Sequence, residues 1–140
     1  MCLSIAVDYP DRVLSRGDHE GFEWLTVNNN IGYRCGYVRI PVDHPWHGKD
    51  YNNIRVAVHG GLTFSEPDKP CDADRPDDAW WVGFDCAHCD DAPDPSLPGY
   101  DDYGLSLQKW LQKHGVIRTT EYVEAECRSL CEQAKAAVAA

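Results

Sequence analysis

Three consecutive asparagines, Asn28-Asn29-Asn30, stand between runs of alternating residues, and this pattern constrains the fold more than any other feature of the chain. Before them Phe22, Trp24 and Thr26 share one face, with Glu23 and Leu25 on the other. After them Tyr33, Cys35 and Tyr37 alternate with Arg34, Gly36 and Val38. A period of two belongs to a strand, whose successive side chains point to opposite faces. Asparagine tolerates left-handed backbone and bonds its own main chain, so the triplet is a turn signal. Residues 20–42 are therefore predicted to form a β-hairpin.

Two further strand-like runs follow. Residues 54–58 set Ile54, Val56 and Val58 on one face, with Arg55, Ala57 and His59 opposite. Residues 79–84 are strong β formers, with Trp80, Val82 and Phe84 toward the core and Trp81, Gly83 and Asp85 away from it. The C-terminal stretch reads as a helix. Thr119 or Thr120 can cap it, and Glu121, Glu124 and Glu126 suit its positive end. Val123, Cys127, Leu130, Cys131 and Ala134 recur at helical spacing as a buried stripe. A shorter helix is expected over residues 105–113, with Leu107, Trp110 and Leu111 on its inner side and Gly115 as its stop. Residues 1–19 show no period.

The expected fold class is α+β, a small antiparallel β-sheet over roughly residues 20–86 with a C-terminal α-helix, roughly 119–138, packed on one face. Acidic irregular loops are expected at 66–78 and 90–104, and the 140 residues read as a single domain. A net charge of −10 argues against direct nucleic-acid binding, which needs clustered cations, although an acidic chain suits mimicry of nucleic acid toward a basic partner. The seven cysteines, with no secretory signal and no apolar run of membrane-spanning length, imply a cytoplasmic protein with reduced thiols and no membrane partner.

Chemistry-bearing residues gather where the last two strand-like runs end. The first ends in His59-Gly60-Gly61, the second in Asp85-Cys86-Ala87-His88-Cys89-Asp90-Asp91. Were the two runs neighbouring strands, His59, Asp85, His88 and Asp91 would converge as a candidate catalytic set. A carboxylate three residues from an imidazole can fix its tautomer and raise its basicity. Two imidazoles with two carboxylates also make a candidate divalent-metal site, through His59, Asp85 and His88. Against this stand two plainer readings, in which His59 braces a turn and Asp85 caps one while His88 is solvated. Gly60 and Gly61 allow close approach by a ligand. The loop carrying His44, Trp46, Lys49 and Tyr51 could form the rim, its ring stacking on a base and its cations meeting phosphate. Cys86 and Cys89 have the spacing of half a zinc site, which Cys71, or Cys127 with Cys131, could complete.

The segments GYVRIP, HPWHGKDY, VHGGLTF and WWVGFDCAHCDD, in that order, resemble a family of small proteins of tailed bacteriophages and prophages with the motifs GYVxIP, HPxxGKxY, VHGGLTF and WWxGFDCAHxxD. The resemblance runs from about Cys35 to Asp91, covers the C-terminal helix more loosely, and leaves residues 1–30 outside it. It implies an accessory protein acting in the bacterial cytoplasm and supplies no reaction. It points to His59, Gly60, Gly61, Asp85, Cys86, His88 and Asp91, and less directly to Tyr37, His44, Gly48, Lys49 and Tyr51. Cys89 falls at a variable position of that pattern, which weakens the zinc reading. Two functions are open: a pocket that binds or cleaves a small phosphorylated or nucleotide-like ligand, to remove a host defence signal, or a non-catalytic acidic inhibitor that occupies a host protein.

Overall fold

The structure, a computed structural model, describes residues 3–70, 78–100 and 106–139. A short helix α1 (Ser4–Asp8) and a 3-10 turn (Pro10–Arg12) lead into β1 (Val13–His19), β2 (Phe22–Asn28) and β3 (Arg34–Ile40). Then come β4 (Phe64–Pro67), β5 (Trp80–Asp85), β6 (Asp91–Ala92), α2 (Ser106–His114), β7 (Val116–Ile117) and α3 (Thr120–Ala139). Strands β1-β2-β3-β5-β4 form one sheet, antiparallel at every junction, while β6 and β7 pair in parallel apart from it. Helix α3 packs across β2 and β3, so the architecture is the expected α+β.

The hairpin follows from its asparagines. Asn28 Oδ1 accepts the Asn30 amide, Asn29 Oδ1 accepts those of Ile31 and Tyr33, and Asn30 takes a φ of 71°. Strand alternation then sorts the core into two layers. Phe22, Trp24, Val38, Ile40, Val82 and Phe84 meet the α3 stripe of Val123, Cys127, Leu130, Cys131 and Ala134. Leu25, Val27, Cys35, Tyr37 and Trp81 fill the opposite face beneath Leu3 and α1. The expected helix stripe is therefore the buried one, and Thr119 Oγ1 accepts the Tyr122 amide as its cap.

Several expectations are corrected. The sheet begins at Val13 rather than near residue 20, because β1 pairs with β2 although its own sequence lacks a clear period. Trp81, placed away from the core by its sequence, is fully buried, whereas Trp80 is only partly buried. The physical reason is that Leu3 and α1 cover the second face of the sheet. Trp110 is 53% exposed rather than inward, though Leu111 beside it is buried as expected, and Leu107 lies outside the described side chains. The expected acidic loops lose residues 66–67 to β4 and 91–92 to β6, and their segments at 71–77 and 101–104 lie outside the described residues, as does Cys71.

Residues 54–58 are extended but not a strand. Their alternation does direct Ile54, Val56 and Val58 onto the α3-side core. Their backbone, however, is satisfied by a helix rather than a ladder. The Gln133 side-chain amide donates to the Ala57 carbonyl and accepts from its N–H, both at 2.8 Å, and Glu126 Oε1 accepts the His59 N–H at 2.8 Å. Strand pairing resumes only at Phe64, where β4 joins the far edge of β5.

Candidate functional site

His59 is therefore not at the end of a strand neighbouring β5. It sits in a turn closed by the Gly61 amide on the Val58 carbonyl, with Gly60 and Gly61 both at positive φ. The turn nonetheless brings His59 to the second polar cluster: its ring lies 5.7 Å from that of His88, centroid to centroid. His59 Nε2 meets Asp91 Oδ2 at 2.9 Å, and Nδ1 meets the Tyr122 hydroxyl at 2.8 Å. Asp91 Oδ2 also accepts the His88 amide at 2.9 Å, and Oδ1 accepts Arg118 Nε at 2.8 Å. The backbone around Arg118 is held in turn by Arg34, which donates to the Arg118 carbonyl, Thr120 Oγ1 and Asp94.

These bonds fix protonation. Burial alone would raise the pKa of Asp91, but hydrogen bonds from Arg118, His59 and the His88 amide outweigh it and hold the carboxyl below the ordinary carboxylate range. The bond to Asp91 likewise raises the pKa of Arg118. Asp91 is thus an ionised acceptor, so His59 Nε2 carries the proton. In a neutral ring Nδ1 is then an acceptor, and the Tyr122 hydroxyl donates to it. Hydroxyl, imidazole and carboxylate stand in the order that lets a base take a proton and a buried charge stabilise the resulting cation.

The expected pairing of Asp85 with His88 is only partly met. His88 Nε2 donates to the Asp85 carbonyl at 3.0 Å and lies 3.3 Å from carboxylate Oδ1. The carboxylate itself accepts the Ala87 amide and the Thr63 hydroxyl, so Asp85 caps the turn after β5. The carboxylate that orients an imidazole in this site is Asp91, and the imidazole is that of His59.

The divalent-metal set His59, Asp85 and His88 does not fit this arrangement. Both nitrogens of His59 are engaged, His88 Nε2 faces a carbonyl, and no metal-holding group of three His, Cys, Asp or Glu residues forms among the described residues. The zinc reading meets a similar obstacle. Cys127 and Cys131 face Leu25 and Phe22 carbonyls in the core, Cys86 is buried and Cys89 exposed.

Nor does the rim loop reach the site. His44 is buried, donating from Nε2 to the Ala134 carbonyl and accepting the Trp46 amide at Nδ1, while Trp46 joins the core. Ala134 lies twelve residues beyond Tyr122, about 18 Å along the helix. The Lys49 carbonyl accepts Trp80 Nε1 at the end of β5 opposite Asp85, and the Tyr51 amide donates to Ser65, whose strand partner is Val82. The apolar tryptophan and the sheet edge claim this loop for packing.

A cavity of about 450 Å³ opens beside the cluster instead, lined by Ala87, His88, Cys89, Asp90, Trp110 and Leu111. Three residues of the site, Tyr122, Arg118 and Glu126, are not among the site candidates read from the sequence. One signal was present: Tyr122, Glu126, Ser129 and Gln133 form a polar row at helical spacing along the flank of the apolar stripe. Three of the four hold the 54–63 segment in place of a neighbouring strand. No protein-family model, curated protein or solved structure matches the chain.

Proposed function

We propose that the chain is a phage-type accessory protein of the bacterial cytoplasm that binds, and by acid–base chemistry cleaves, a small phosphorylated or nucleotide-like ligand, countering a host defence signal. The observation that carries this reading is the double position of His88, which lines the cavity and lies against His59 of the buried proton network. Trp110, on the same cavity wall and 53% exposed, offers a face on which a base stacks. The partly exposed guanidinium of Arg118 offers charge for a phosphate. The test is calorimetry with mononucleotides, cyclic dinucleotides and the matching nucleosides. Binding of at least one of them, weakened roughly tenfold or more by Trp110→Ala and by His88→Ala, is expected. No heat from any of them at millimolar concentration would overturn the reading.

A second reading, a non-catalytic inhibitor that occupies a host protein, draws on one observation. Both nitrogens of His59 are satisfied inside the fold and its side chain is only 12% exposed, so the network also clamps the 54–63 segment to α3. On that reading His88→Ala and Tyr122→Phe would leave partner binding intact.

A further inference from the structure

We propose that Tyr122 is the reacting hydroxyl of this site, a proton relay terminus driven by His59 and Asp91. The inference deepens the function proposed above and rests on the same site. Three independent features support it. The hydrogen-bond order directs the Tyr122 proton at His59 Nδ1, and the phenol is only partly buried. The imidazolium formed by transfer is paired at once with the ionised, buried Asp91. Tyr122 also stands in the first turn of a twenty-residue helix, with the Arg118 guanidinium 5.2 Å from its ring centroid, and both favour negative charge developing on its oxygen. Burial and the neighbouring Glu126 raise the phenol's pKa, so the group rests as a neutral phenol. Its activation is then the concerted loss of the proton to His59 rather than a standing phenolate.

The step this relay serves is loss of a proton from an attacking water or ligand hydroxyl. As the attacking oxygen forms its bond to phosphorus, its proton passes to Tyr122 Oη and the proton already there passes to Nδ1. The bond to the leaving oxygen breaks with its electron pair, and that oxygen takes the proton back from His59 through Tyr122. The substrate class is thus a phosphate ester or anhydride attacked by an O–H group.

The relay is testable without knowing the ligand. An aryl sulfonyl fluoride labels a tyrosine by forming an O–S bond, expelling fluoride and releasing the phenol proton, which here passes to His59. Tyr9, 53% exposed, is the reference within the same molecule, because exposure alone would make it the faster site. Peptide mapping should show Tyr122 labelled at least about tenfold faster than Tyr9, with His59→Gln removing that advantage and leaving the Tyr9 rate unchanged. Equal or slower labelling of Tyr122 in the native chain would overturn the proposal, and so would an undiminished rate in a folded His59→Gln. The competition in the native chain decides the point even where the variant does not fold. Because no nucleotide is used, this result stands apart from the success or failure of ligand binding.

Discussion

Gly60 packs against the imidazole of His88, so close that a Cβ on Gly60 would overlap the ring. Gly61 also has a positive φ, but a Cβ there meets nothing within 4 Å. The two neighbours therefore separate backbone strain from displacement of the histidine. Gly61→Ala should cost about 1–2 kcal/mol from left-handed backbone alone. Gly60→Ala should cost more, and only it should shift the His88 ring resonances. Thermal melts and histidine spectra of both variants check this, and an unmoved His88 signal in Gly60→Ala would contradict the packing described.

Asp91 is buried and accepts three hydrogen bonds, from Arg118, His59 and the His88 amide. Removing it leaves the partly exposed Arg118 guanidinium and the His59 imidazole without their acceptor. Asp91→Ala should therefore cost about 1–3 kcal/mol, the usual range when donors that water partly reaches lose their acceptor. Urea titration at neutral pH measures it.

The same residue gives a pH dependence with a definite sign. A folded pKa held below the unfolded value contributes stability that is present above the unfolded pKa, about 3.9, and is lost as pH falls through the folded one. The melting-temperature gap between the native chain and Asp91→Asn should be present at neutral pH and should shrink below about pH 4. A gap that stayed undiminished far below pH 4 would refute the ionised assignment.

Burial redirects the stability test for the aromatic pair. Trp81 is fully buried, with Nε1 bonded to Asp68, and Trp81→Ala should cost about 3–5 kcal/mol. Trp80, at the partly buried rim, should cost less on the same change. His88, whose side chain is 37% exposed, should cost about 1 kcal/mol or less as His88→Ala while weakening ligand binding. Comparing melting temperatures with nucleotide affinity separates the three. A His88→Ala loss as large as that of Trp81→Ala would make the histidine structural.

The thiols divide by burial. Among the described residues Cys35, Cys86, Cys127 and Cys131 are free and buried, and Cys89 is free and exposed. Burial pushes the thiols of Cys35 and Cys131 up to about 12, so little thiolate forms at neutral pH. Of these five, Cys89 should react with a thiol reagent first in the native state, and the four buried ones only on unfolding. Mass spectrometry after brief alkylation resolves the order.

The sequence by itself determined the elements whose signals are local. The β2–β3 hairpin follows from the asparagine turn, and α3 from its capping threonine and its five-residue apolar stripe. The facing of Ile54, Val56 and Val58 toward the core was likewise legible, since alternation reports which side is buried. It does not report which backbone groups are paired, and there tertiary structure decided otherwise. The side chains of Gln133 and Glu126 meet the bonds a strand would have made, so residues 54–58 lie along a helix rather than in the sheet. Nor could alternation reveal that Leu3 and α1 cover the second sheet face, which made Trp81 rather than Trp80 the buried ring. His59, His88 and Asp91 were legible as candidates because polar groups ended apolar runs. Their partners were not: Tyr122 and Arg118 lie 63 and 27 residues away in sequence from the groups they bond, and only folding sets such groups within hydrogen-bonding reach.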